Sequence, residues 1–202
     1  GGEHGEQVDD AMSGVTLGVL LEALPGCRLS GDPGVVIHGV ACDSRAVTPG
    51  GLFVAVRGGQ EQDRHQFVND AAARGAAAVI VEEPVRVQGC AVVEVEDARR
   101  ALAQVAAAFY GRPADALRLI GVTGTNGKTT TALLLRQMLD HPDRPCAYLG
   151  TLGVHARDGV TGLPNTTPEA PVLQQHLRRL VDSGPAAAAL AVSSHGLVLQ
   201  RV

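Results

Sequence analysis

Short apolar runs and helical stripes alternate along most of this chain. Thr16 precedes Leu17, Leu20, Leu21 and Leu24, one helical face closed by Pro25-Gly26. Val35–Val40 and Leu52–Val56 read as strands, separated by the turn-rich segment Asp43–Gly51. Phe67–Arg74 reads as an alanine-rich helix ended by Gly75, and Ala76–Val81 and Cys90–Val95 as strands of the buried type. Leu102, Val105, Ala106 and Phe109 mark a helix over Ala98–Tyr110, which Gly111-Arg-Pro113 stops.

The second half repeats the alternation. Leu117–Val122 is an apolar run leading into Thr123–Thr130, and Thr131–Leu139 has helical character. His141–Pro145 reads as a turn and Cys146–Leu149 as a short strand. Thr167-Pro-Glu169 carries the signals of a helix start, with Thr167 as the cap and Leu173, Leu177, Leu180 and Val181 on the following face. Ser183-Gly-Pro185 ends that helix, and Ala186–Val192 is a buried strand with Ser193-Ser-His195 at its end. Strands alternating with helices of about a dozen residues predict an α/β fold with a mainly parallel sheet in the second half. Its ligands are expected at the carboxyl ends of the strands, where Thr123–Thr130 and Ser193–His195 both lie.

Composition narrows the function classes. A 202-residue chain with 45% hydrophobic and 19% charged residues can bury a core, as one large or two small domains. A net charge of -4 and only three Phe, two Tyr and no Trp argue against a nucleic-acid partner. No apolar run is long enough to span a membrane, and residues 1–13 are polar and glycine-rich, a tail or expression remnant outside the fold. A cytoplasmic location is expected. Cys27, Cys42, Cys90 and Cys146 lack paired spacing, so neither a zinc site nor a disulfide framework is indicated.

The chemistry concentrates in Gly124-Thr-Asn-Gly-Lys-Thr-Thr130. Gly124 and Gly127 let successive backbone N–H groups turn toward one anion, and a helix starting near Lys128 adds free amides and its positive dipole end. Lys128 suits β/γ-phosphates and the Thr129 hydroxyl suits Mg²⁺. The strict P-loop register fails, because Val122 stands where its first glycine belongs.

At these residues the chain resembles the Mur ligases, which join amino acids to a UDP-linked muramyl peptide. The resemblance implies ATP and Mg²⁺ as cofactors, with Gly124, Thr125, Asn126, Gly127, Lys128, Thr129 and Thr130 forming the ATP loop. Asp43-Ser-Arg45, Pro49–Val56 and Gly75–Val79 resemble the family's N-terminal uridine-binding domain. By that likeness the backbone around Cys42 and the Ser44 side chain contact uracil, and Gly59–Gln62 approach the diphosphate. Arg64 replaces a common glycine there.

Asn165-Thr-Thr167 and Val192-Ser-Ser-His-Gly-Leu197 with Arg201 resemble the members that add the third amino acid. Asn165, Thr166, Thr167, Ser193 and Arg201 then contact the muramoyl dipeptide, with Arg201 as a carboxylate clamp. The implied layout is a uridine-binding domain over 14–111 and the first part of a P-loop ATPase domain over 112–202. The family continues past this point, so the chain reads as an N-terminal fragment. The implied activity is ATP-dependent addition of diaminopimelate or lysine to UDP-N-acetylmuramoyl-L-alanyl-D-glutamate, by a monomer. One departure stands out: Ala191 occupies the place of the family's Mg²⁺-ligating glutamate. A binding module that does not ligate, and a related ligase of secondary metabolism, are the alternatives.

Overall fold

The computed structural model describes residues 14–56, 67–163 and 165–198. The first half comprises β1 (Val15–Thr16), α1 (Leu17–Leu21), β2 (Arg28–Ser30), β3 (Val36–Ile37), β4 (Val40–Ala41), β5 (Leu52–Val54), α2 (Val68–Ala73), β6 (Ala78–Val81), β7 (Ala91–Glu94) and α3 (Ala98–Phe109). Its main sheet has the order β2-β7-β6-β5-β4. β4 to β7 run parallel and β2 closes one edge antiparallel. Their unbroken apolar runs follow from cover on both faces. Leu52, Val54 and Ile80 meet α1 and α3 through Leu20, Leu102 and Val105, whereas Phe53, Val79 and Val81 meet Val68 and Ala71 of α2.

The second half comprises β8 (Arg118–Val122), α4 (Lys128–Leu139), β9 (Cys146–Gly150), β10 (Gly153–Ala156), β11 (Gly159–Thr161), α5 (Ala170–Ser183), β12 (Ala187–Ala191) and the short α6 (Ser194–Val198). The sheet order is β11-β10-β9-β12-β8, with β8, β12 and β9 parallel and a β10–β11 hairpin added antiparallel. Leu173, Leu177 and Leu180 of α5 pack against Leu149 and Leu190 on one face. On the other, Ala132 of α4 packs against Tyr148, Ala189 and Ala191. The two halves touch along α3 and α5. Ala170 joins the core of the first half, and Arg99 Nη1 lies 3.6 Å from Glu169 Oε2.

Three expectations change. The single strand expected over Val35–Val40 is two: β3 pairs with β1 and β4 joins the main sheet, because His38 and Gly39 turn the chain between them. Thr16 occupies the N-cap position of α1 without a side-chain hydrogen bond, and the helix ends at Leu21, before Leu24. Thr167 is not the cap of α5. That helix begins at Ala170 behind an extended Glu169, with Pro171 in its first turn. Residues 1–13, Gly59–Gln62, Arg64 and Arg201 lie outside the described residues.

Candidate functional site

Strand β8 delivers the chain to the loop Thr123–Gly127, and α4 starts at Lys128. Gly124 has φ 142° and Gly127 φ 77°, conformations in which a side chain is strained, so both glycines are used for the turn they permit. Gly127 is the N-cap residue of α4 and supplies no side-chain cap, which leaves the first amides of a twelve-residue helix facing the loop. Residues 123–127 are exposed. Lys128 Nζ donates to the carbonyls of Gly124 at 2.7 Å and Thr125 at 3.3 Å, so the ammonium is already drawn over the concave side of the turn.

Three hydroxyls connect this loop to the segment before α5. Thr129 Oγ1 donates to Thr151 Oγ1 at 3.5 Å, the outer limit of such a bond, and Thr151 Oγ1 lies 2.9 Å from Thr166 Oγ1. Thr129 and Thr166 are thus brought together by Thr151, a residue the sequence reading passed over. Its position just past the carboxyl end of β9 is the signal that could have found it. Asn165 is exposed beside Thr166.

Thr167 is buried, and its Oγ1 accepts the Ser193 N–H at 2.9 Å and donates to the Ala191 carbonyl at 3.5 Å. Its hydroxyl therefore fastens the Asn165–Thr167 segment to the end of β12 instead of facing a ligand. Ser193 Oγ accepts the Gly196 N–H at 3.0 Å, capping α6. Thr151, Thr166 and Ser193 thus stand around the carboxyl ends of β9 and β12.

The donor set around Thr129 is neutral. Ala191 offers no ligand, and among the described residues no three His, Cys, Asp or Glu side chains gather for a metal. Hydroxyls of this kind fit a hydrated Mg²⁺ that arrives on phosphate oxygens, since that cation keeps several waters, and do not fit a free-standing all-protein site.

A second cleft, of about 360 Å³, lies in the first half. Its lining includes Cys42, Ser44, Arg45, Phe67, Asp70 and Arg74. Asp43 accepts the Arg45 N–H at 3.0 Å and pairs with its guanidinium at 2.7 Å, which fixes the 3-10 turn over Ser44–Ala46. Ser44 is buried at the wall of this cleft. Phe67, Asp70 and Arg74 were missed because α2 reads in sequence as a packing helix, and the face that carries them, from its N-cap Phe67 to its C-cap Arg74, borders the cleft only in the folded chain.

In α/β proteins a glycine-rich turn after a parallel strand, leading into a helix N-terminus and faced by a hydroxyl-lined segment, is an arrangement suited to binding phosphate groups. The chain belongs to the Mur ligase family: residues 36–110 match the model "Mur ligase family, catalytic domain" and residues 122–202 the model "Mur ligase middle domain". It is 48% identical over 204 residues to the UDP-N-acetylmuramoyl-L-alanyl-D-glutamate--2,6-diaminopimelate ligase of Chlorobaculum tepidum, covering 100% of this chain and 39% of that one. For the ligase of the same name from Geobacter metallireducens the identity is 46%, over 82% of this chain and 32% of that protein. A solved structure of a ligase of this name superposes with a TM-score of 0.74 at 31% identity, covering 93% of this chain and 38% of that one. The MurF ligase of Thermotoga maritima in complex with ADP gives 0.52 at 25% identity, over 77% and 32%. The chain thus spans well under half the length of these relatives.

Proposed function

We propose that this chain is the uridine-binding and leading ATP-binding portion of a cytoplasmic, monomeric ligase that joins diaminopimelate to UDP-N-acetylmuramoyl-L-alanyl-D-glutamate in peptidoglycan synthesis. The observation that carries this reading is the hydroxyl chain Thr129–Thr151–Thr166, which sets the phosphate turn against the segment expected to hold the peptide. In this reading residues 14–111 hold the UDP end through the cleft at Cys42 and Ser44. Residues 112–202 hold ATP through Gly124–Thr130, with the change of unit at Gly111-Arg-Pro113.

The work assigned to these residues is placement and charge neutralisation. Lys128 leaves the Gly124 and Thr125 carbonyls for the β/γ-phosphates, and the turn amides take the remaining charge. Thr129 would hold Mg²⁺, which when bound screens the phosphate charge. Asn165, Thr166, Ser193 and Arg201 keep the substrate carboxylate in line with the γ-phosphorus. The carboxylate oxygen then displaces ADP to give an acyl phosphate, and the incoming amine displaces inorganic phosphate with loss of a proton.

Ala191 favours a second reading, in which the chain binds both ligands and does not complete the ligation. Separate titrations of the chain with ADP and with UDP-N-acetylmuramoyl-L-alanyl-D-glutamate test the shared part. Saturable binding of each, with shifts at 124–130 for ADP and at 42–45 for the uridine compound, is the expected result. A folded chain that binds neither refutes both readings. Amide formation by the intact protein, restored beyond residue 202, separates them.

A further inference from the structure

Tyr148 on β9 is fully buried, and its Oη has no hydrogen-bond partner among the described residues. A phenylalanine would fill the same volume without stranding a hydroxyl, so the oxygen costs stability unless something meets it in another state. Its direction is well defined. The ring is held edge-on by His155, with centroids 5.2 Å apart, and it points along the strand over Gly150. A Cβ added to Gly150 would lie 2.3 Å from Tyr148 Oη and 2.8 Å from the Ala191 Cβ, so the phenol oxygen and the Ala191 methyl are neighbours across that glycine.

This is also the edge at which the nucleotide-side hydroxyls stand. Gly150 is followed directly by Thr151, which contacts Thr129 and Thr166. Above them α4 seals the face through Ala132, in one cluster with Tyr148 and Ala191. The residue at 191 is too short to carry a polar group to this edge, and Tyr148 brings one from the adjacent strand.

We propose that Tyr148 Oη is the polar anchor for the hydrated cation at the phosphate end of the nucleotide in this chain, taking the place that a carboxylate at 191 would serve. The inference rests on the nucleotide reading given above. A neutral phenol oxygen accepts a hydrogen bond from water in the cation's hydration shell, which suits Mg²⁺ because that ion dehydrates reluctantly. Lys128 is bonded to its own loop carbonyls, and in this proposal an arriving phosphate draws the ammonium away and frees those carbonyls beside the first residues of α4. For Tyr148 Oη to serve, this movement must uncover an oxygen that the helix otherwise covers.

Tyr148→Phe tests this, because it removes one oxygen and keeps the ring. ADP affinity of this chain is measured by calorimetry in EDTA and in Mg²⁺, together with thermal stability without ligand. The expected variant melts at the same temperature or higher and binds ADP equally in EDTA. Its Mg²⁺-dependent gain in ADP affinity falls by about tenfold, the low end for an outer-shell partner of a metal site. A purely structural tyrosine moves only the melting temperature, and an unchanged Mg²⁺ gain overturns the proposal while leaving the nucleotide reading intact. Failure of the unmodified chain to bind ADP at all overturns both.

A second readout needs no variant. The chain has no Trp and two Tyr, so its intrinsic fluorescence reports only Tyr110 and Tyr148. Adding Mg²⁺ to the ADP-bound chain is expected to change that emission. No change there, even if Tyr148→Phe fails to fold, counts against the proposal.

Discussion

Thr167 Oγ1 accepts the backbone N–H of Ser193 at 2.9 Å, tying the segment that precedes α5 to the segment that follows β12. Both segments are thereby held at the carboxyl edge of the second sheet, where Thr166 meets Thr151. A packed Gly196 completes the joint, since a Cβ there would come within 2.7 Å of the Thr167 side chain.

Thr167→Val keeps the shape and deletes the acceptor. The Ser193 N–H then loses its partner in a half-buried setting, a loss of about 1–3 kcal/mol. Denaturant unfolding is expected to show a lower midpoint with an unchanged slope. Thr167→Ser, which retains the oxygen, is expected to recover most of the difference. Equal stability of the valine and serine variants would mean that this hydrogen bond does not hold the joint.

That same residue shows where sequence reading runs out. Thr167-Pro-Glu169 is a sound local start signal, yet the partner that claims the hydroxyl lies 26 positions away and is invisible to any local rule. The glycine turn into α4 was legible because glycine placement and helix onset are both local. The long apolar runs were legible for the same reason, since cover on both faces leaves no polar position to break them. The β10–β11 hairpin was not, because Gly153–Ala156 and Gly159–Thr161 are short and carry little apolar alternation. β2 fails similarly, with only Leu29 turned partly inward. Tyr148 and Ala191 depend on strand register, which pairs Ala189 with Tyr148 and so sets Gly150 beside Ala191.

Lys128→Ala is expected to weaken ADP binding by about tenfold to a hundredfold, the equivalent of a charge-assisted contact of about 1.5–3 kcal/mol. Among the described residues Lys128 Nζ bonds only to carbonyls of its own loop, so the fold should survive the change. Calorimetric titration with ADP checks it. Unaltered affinity in a folded variant would reduce Gly124–Thr130 to an ordinary turn between strand and helix.

His176 gives a pH signature to the second half. It is buried on α5, and burial first, then the nearby Arg179 charge, pushes its pKa below the usual 6.5. Asp158 of the β10–β11 turn lines the same cavity as His176 and Arg179. With the folded pKa depressed, the unfolded chain takes up the proton first as pH falls below about 6.5. Stability from the neutral imidazole is therefore complete above that pH and declines through the window down to the folded value. Melting temperatures at stepped pH are expected to fall on the acid side, with a shallower fall for His176→Gln. Parallel profiles for the two proteins would assign the acid loss to other groups.

Ala191→Glu introduces the residue type that the sequence resemblance leads one to expect before Val192-Ser-Ser-His195, yet the local packing opposes it. Ala191 is 2% exposed and shares a tight cluster with Ala132, Tyr148 and Ala189. The missing side chain of Gly150 leaves relief beside it, but Tyr148 already extends across that gap. A glutamate added alone must displace the phenol or bury an ionised carboxylate beside it, and overpacking by itself costs about 1–3 kcal/mol. The single variant is expected to lose stability and to gain no Mg²⁺-dependent ADP affinity. Tyr148→Val with Ala191→Glu opens the volume that the carboxylate needs, so the pair is expected to melt above the single glutamate variant and to regain the Mg²⁺ effect. A double-mutant cycle in melting temperature and in Mg²⁺-dependent ADP affinity measures this coupling. Additive effects of the two substitutions would show that Tyr148 and the residue at 191 do not compete for one place at the cation edge.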